Sequence, residues 1–169
     1  MSVQTSYSAT MTRGFAGQKV GSPHGDMVET MRNDESTAEI GFGKAVKHAS
    51  VSDEQSAKLP AAITDLLGGI VLHSHHYDSD ELGDTGVKPG NELNVARKGR
   101  VLVPCVDAFQ PGDRLHVVCV GSNFGGLRAS ADSTNTKDCT NQGVWRSAGG
   151  AGDLGVLEFD FTASATIQD

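Results

Sequence analysis

The sequence predicts an all-β fold on three observations. Glycine is abundant, 21 of 169 residues, and runs that favour helix are few. Apolar residues recur with period two in several segments, the spacing of a half-buried strand. Between those segments lie Pro, Gly, Asn and Asp, each of which favours a turn. Several short strands separated by turns define a β-sandwich or a jelly-roll-like barrel of short antiparallel strands. The length fits one compact domain.

Residues 1–18, MSVQTSYSATMTRGFAGQ, are rich in Ser, Thr and Gly, with Tyr7 and Phe15 isolated. They are expected to form an extended N-terminal arm that orders only on something else, leaving residues 19–169 as a single β domain. DMVETMR, from Asp26, reads as a strand. So does EIGFGKAVKHA, where Ile40, Phe42 and Val46 alternate with small or polar residues. LPAAITDLLGGIVLHSHH opens with a proline turn, holds one helical turn at Ala62–Leu67, and continues as a strand through Ile70, Val71 and Leu72. Tyr77–Asn91 is polar and broken by Gly83, Gly86, Pro89 and Gly90, the mark of a loop. NELNVARKGRVLVPCVDAF reads as two strands about Lys98-Gly99 or as one strand bent at Gly99. Gln110-Pro111-Gly112-Asp113 is a turn, because proline presets φ at its second position and glycine tolerates the third. RLHVVCV is the next strand. Gly121–Gly143 is a long polar loop with Phe124 its lone aromatic. The last strands surround Trp145 and run through Val156, Glu158 and Asp160, alternating with Leu157, Phe159 and Phe161.

A net charge of -7 argues against nucleic acid or anionic lipid as a partner, since both are recognised through clustered Lys and Arg. No run has the length and polarity of a membrane span. Cys105, Cys119 and Cys139 form no C-x-x-C pair and are odd in number, which fits a reducing compartment better than a disulfide framework. Arg97, Lys98 and Arg100 cluster round Gly99 as a contact patch or, more commonly, a solvated hairpin tip. Trp145 is expected in the core, because no basic groove accompanies it as a stacking platform. No G-x-S-x-G elbow and no phosphate-binding loop is present, and the glycines of GGLRAS and SAGGAGDLG read as turns.

One enzyme reading has a specific pattern behind it. His73-Ser74-His75, four residues, then Asp80 follows the first motif of cupins, jelly-roll proteins with a metal open to substrate, with Asp in place of Glu. His116 would be the further ligand. The second motif fits poorly: Pro111 and Gly112 are adjacent, His116 falls one residue late and the asparagine is absent. Because a one-residue shift sends a ligand to the opposite face of a strand, solvated His and Asp at a strand end is the preferred reading. An EF-hand calcium loop from Asp78 fails, since Leu82 and Pro89 occupy ligand positions. No cofactor is expected.

Taken in order, GFAGQ (14–18), FGKAV (42–46), LPA (59–61), GGIVL (68–72), ELNVARKGRVLV (92–103), PGDRLHV (111–117) and WRSAGGAGDLGVLEF (145–159) resemble the cement, or head-decoration, proteins of tailed bacteriophages. The resemblance implies a non-enzymatic protein, made in the host cytoplasm, on the outer surface of the virion. It would bind the phage major capsid protein as a homodimer or homotrimer on local symmetry axes, and clamp capsomers against the pressure of packaged DNA. On that reading the arm, through Tyr7, Arg13 and Phe15, contacts the capsid. Loops 73–89 and 121–143 look longer than the family pattern, and TASATIQD is an added tail.

Overall fold

The computed structural model describes residues 14–21, 25–50, 53–73 and 86–162. Among the described residues there are thirteen strands and no helix. They are β1 (Gln18–Val20), β2 (Met27–Asn33), β3 (Ile40–Gly41), β4 (Ala45–Ser50), β5 (Asp53–Lys58), β6 (Leu67–Val71), β7 (Gly86–Val87), β8 (Glu92–Pro104), β9 (His116–Val118), β10 (Leu127–Arg128), β11 (Thr136–Asp138), β12 (Gly143–Trp145) and β13 (Leu154–Asp160).

The sheet order β8-β2-β5-β4-β6 returns to β8 through Ile70↔Ala96 and Val71↔Val95, so five strands close a barrel. Closure pairs edges that would otherwise template aggregation. Every pairing in the barrel is antiparallel except β2 with β5, which is parallel and only two rungs long, Arg32↔Ser56 and Asn33↔Ala57. The strands read from the sequence are present, but β5, one member of the parallel pair, was not among them, since DEQSAK carries no apolar alternation.

β8 is a single bent strand of 13 residues. Met27 pairs with Lys98 and Val28 with Ala96, which leaves Arg97 as an extra residue, a β-bulge. Gly99 follows at φ 144°, a region costly for a residue with a Cβ. Beyond the bend β8 leaves the ring and carries β1 on one edge and β13 on the other, with β12 outside β13. The cluster Arg97-Lys98-Arg100 thus sits in mid-strand rather than at a hairpin tip.

Two cores result. Met31, Ile40, Phe42, Val46, Val71, Leu93 and Val95 pack together inside the barrel. Ala45, Ile70 and Ala96, each next in sequence to one of these, point the other way, as period two requires. They join Val101, Val103, Phe109, Leu115, Val117, Trp145, Leu157 and Phe159 in a second core under the small sheet β10-β9-β11. Trp145 is fully buried, its ring 4.6 Å from that of Phe109. Gly149 and Gly155 flank that pair, and a Cβ on them would come within 2.6 and 2.4 Å of Phe109. They are packing glycines; the turn belongs to Gly152, at φ 84°.

Three local expectations change. The helical turn expected at Ala62–Leu67 shrinks to one hydrogen-bonded turn, Asp65 N–H on the Ala62 carbonyl (3.0 Å), with the Asp65 carboxylate accepting the N–H groups of Ala61 and Ala62 (2.8 and 2.9 Å), and Leu67 already opens β6. The loop 121–143 contains β10 and β11, both paired to β9. The loop 77–91 contains β7, paired to β3. Lys44 Nζ ties the start of β4 to the small sheet by donating to Asn123 Oδ1 (3.2 Å) and the Phe124 carbonyl (3.1 Å).

Candidate binding surface

The root of the arm is built into the barrel. Ala16 and Gly17 form a turn closed by Gln18 N–H on the Phe15 carbonyl (3.1 Å), and Gly17 has the positive φ, 79°, that its position demands. Gly17 donates to the Leu102 carbonyl and accepts from His73 N–H, and a Cβ on it would lie 2.5 Å from that nitrogen. Phe15 stays 41% exposed while its ring sits 4.3 Å from the imidazole of His73, which in turn lies 4.7 Å from Phe42. Of the three proposed contact residues, Phe15 is a half-exposed ring on a fixed root; Tyr7 and Arg13 lie outside the described residues.

The proposed cupin ligands are not assembled where the structure describes them. His73 lies two residues past β6, its imidazole tilted against the rings of Phe15 and Phe42. His116 is a buried residue of β9, paired across to Arg128 and Asp138 in a different sheet. His75 and Asp80 lie outside the described residues. The reason is topological: the spacing in sequence matched one strand end, while His116 entered the small sheet.

Sequence reasoning missed an apolar loop. Ile63 and Leu66 are 45% and 63% exposed. The loop that bears them is held by Asp65, whose Oδ2 accepts from Ala61, Ala62 and Lys47 Nζ (2.9 Å), and by Lys137 Nζ, which reaches the Ile63 carbonyl (3.1 Å). Burial opposes ionisation of Asp65, but those bonds outweigh it and hold the carboxyl below its usual range. The available signal was TDLL, an acid one turn after Pro60 followed by two leucines of which one, Leu67, starts a strand. Val106, Val120 after β9, and Met27 and Val28 on β2 are the other exposed large apolar side chains among the described residues.

The charges carry the complementary message. Arg97 pairs with Glu29 (3.2 Å) and Lys98 with Asp160 (2.9 Å), while Arg100 and Arg146 share Glu158 (2.6 and 2.9 Å). Arg146, then Arg100, holds the Glu158 carboxyl below its usual range against partial burial. The cations of β8 are thus neutralised by neighbouring strands, an arrangement unlike the open basic groove that phosphate recognition uses. Cys105, Cys119 and Cys139 are free and buried, and burial pushes the Cys105 and Cys139 thiols up to about 12.

A closed barrel that holds apolar side chains out at fixed places has the build of a structural binding domain. Residues 3–160 match the model of a family described as structural cement protein (E217 gp24/Pam3 gp6). The chain belongs to that family, and it is a phage structural protein associated with the capsid. Among solved structures it is similar to a chain of one titled "The capsid of Myoviridae Phage XM1", at 16% identity and a TM-score of 0.69, covering 95% of this chain and 98% of that one. At that identity the likeness is one of fold. None of the curated proteins matches.

Proposed function

We propose that this protein binds the outer surface of the assembled phage head and cements adjacent capsomers of the major capsid protein, stabilising the shell against the pressure of packaged DNA. The family match over residues 3–160 carries the reading. The fold supports it physically. A closed barrel resists deformation, and exposed apolar residues at Phe15 and at Ile63 and Leu66 offer separate contacts. A subunit that touches two capsomers makes its second contact at high effective concentration, so modest interfaces become firm together. An interface of about 1,600 Å² suffices for each stable joint.

In this reading residues 1–18 act as the arm and 19–169 as the β domain, and the protein works as a homodimer or homotrimer on local symmetry axes. The arm reaches a neighbouring subunit through Tyr7, Arg13 and Phe15. The protein is made in the host cytoplasm and joins the head there, and its role involves no chemical step.

Co-sedimentation with purified heads tests the proposal. The full chain should pellet with expanded, mature heads and not with immature ones, and deletion of residues 2–13 should lower occupancy while the domain still folds, as read by a cooperative thermal melt. Equal binding to both kinds of head, or to neither, would contradict the proposal.

A further inference from the structure

The parallel seam between β2 and β5 is short, two rungs like the β6–β8 seam, and it lies at one end of β2. Among the described residues, β5 meets the outer edge of β2 only at Arg32 and Asn33. Continued in the same parallel register, Met31 would face Gln55 and Glu29 would face Asp53. The strands instead diverge around a hollow of about 470 Å³ lined by Thr30, Met31, Arg32, Gln55 and Ser56. The outer edge of β2 from Met27 to Met31 therefore has no ladder partner among the described residues, and Met27 and Val28, at its open end, are each 42% exposed. An edge of this kind is a template for another strand, because its backbone N–H and C=O groups point outward at the spacing a strand requires.

The arm has the pattern of such a strand. From Val3 to Met11 the sequence alternates with one exception, Thr5: as a strand, Val3, Thr5, Tyr7, Ala9 and Met11 would share one face, and Gln4, Ser6, Ser8 and Thr10 the other. The segment contains no Gly, no Pro and no charge. Period two over nine residues, with β-branched and aromatic side chains on one face, is the sequence of a half-buried strand. At about 3.3 Å per residue it would span roughly 30 Å, more than the open stretch of β2.

Whose arm it is follows from the root. A hairpin folding the arm back on its own β1 would pair Phe15 N–H with the Gln18 carbonyl. That N–H is instead taken by the Gln18 side-chain oxygen (3.3 Å), the Phe15 ring is turned onto His73, and Gly14 bends the backbone at φ 123°. We infer that residues 3–11 of a neighbouring copy add as an extra strand to the open edge of β2. The inference rests on the reading that the arm reaches a neighbouring subunit, and it names the site. Each copy gives an arm and receives one, by reciprocal exchange in a dimer or head to tail round a trimer.

Hydrogen exchange on the free full-length protein tests this without any capsid. Peptides covering Met27–Met31 should exchange on the order of tenfold more slowly in the full chain than in the chain lacking residues 2–13. Tyr7→Pro, which breaks the added strand outside the barrel, should reproduce the deletion, and a synthetic peptide of residues 1–13 added to the deleted chain should restore protection. Sedimentation should show the full chain as an oligomer and both variants as smaller species. Equal exchange in the full and deleted chains would overturn the inference, as would protection that persists when the full chain is diluted to monomer. If exchange is equal while the deletion still lowers occupancy on heads, the arm reading stands and the β2 site alone falls.

Discussion

Asp107 shows how single residues hold the small sheet to the barrel. Its carboxylate accepts the N–H groups of Ala129 (2.8 Å) and Ser130 (3.1 Å), the Ser130 hydroxyl, the Arg128 guanidinium (3.3 Å) and the Cys105 thiol (3.3 Å). Burial alone would raise its pKa; the bonds, led by that from Ser130, outweigh burial and bring it to about 2, from an ordinary 3.8. A carboxyl held below its unfolded value contributes stability that is present above about pH 4 and lost as pH falls through 2. Asp107→Asn should therefore lower the melting temperature at pH 7, where each kcal/mol lost is worth roughly 2–4 °C in a domain of this size. The gap between variant and parent should narrow between pH 4 and pH 2 in thermal melts. A gap independent of pH would mean that the ionised form is not the one being held. Nothing in the sequence around Val106-Asp107-Ala108 advertised this role, because all but one of the partners lie more than twenty residues away. His73 makes the converse case: its spacing to His75 and Asp80 suggested metal, and its position in three dimensions is against two phenylalanines.

At the scale of elements, the alternation in β13 was fully legible, and its burial follows it residue by residue. A strand half buried on one face writes its period into the sequence. β8 was legible only as far as the ambiguity between one strand and two, since glycine serves a bulge as well as a turn. The bulge at Arg97 settles it as one, and Gly99 is the residue that lets the strand leave the ring. Gly99→Val should cost about 1–3 kcal/mol in chemical denaturation, both because φ is positive and because a Cβ would lie 2.6 Å from Asp26 Oδ1. Gly21→Ala, where a Cβ meets nothing within 4 Å, should stay within about 0.5 kcal/mol of the parent. Equal effects at the two positions would remove the bend from the account. β10 and β11 were not legible: two- and three-residue strands in a polar stretch carry no period, and what makes them strands is pairing to β9. The closing contact of the barrel, two rungs between β6 and β8, is equally a product of tertiary pairing.

For the whole molecule, the all-β class and the family were readable because turn signals and apolar strands recur in a fixed order along most of the chain. The surfaces were not. Exposure of Ile63 and Leu66 depends on Asp65 folding their loop outward, and the open edge of β2 depends on where β5 diverges. Neither leaves a mark in local composition. The arm's alternation was present in the sequence throughout, and it gains meaning only beside an unpaired edge. Together these features describe a small closed barrel with apolar side chains exposed at several separate places. Reinforcement of the head by this protein, as proposed, is read directly by the survival of DNA-filled heads on heating. Heads lacking the protein should release DNA at a lower temperature than complete heads, and adding back the purified full chain should restore the difference. Identical release temperatures with and without the protein, at full occupancy, would contradict it.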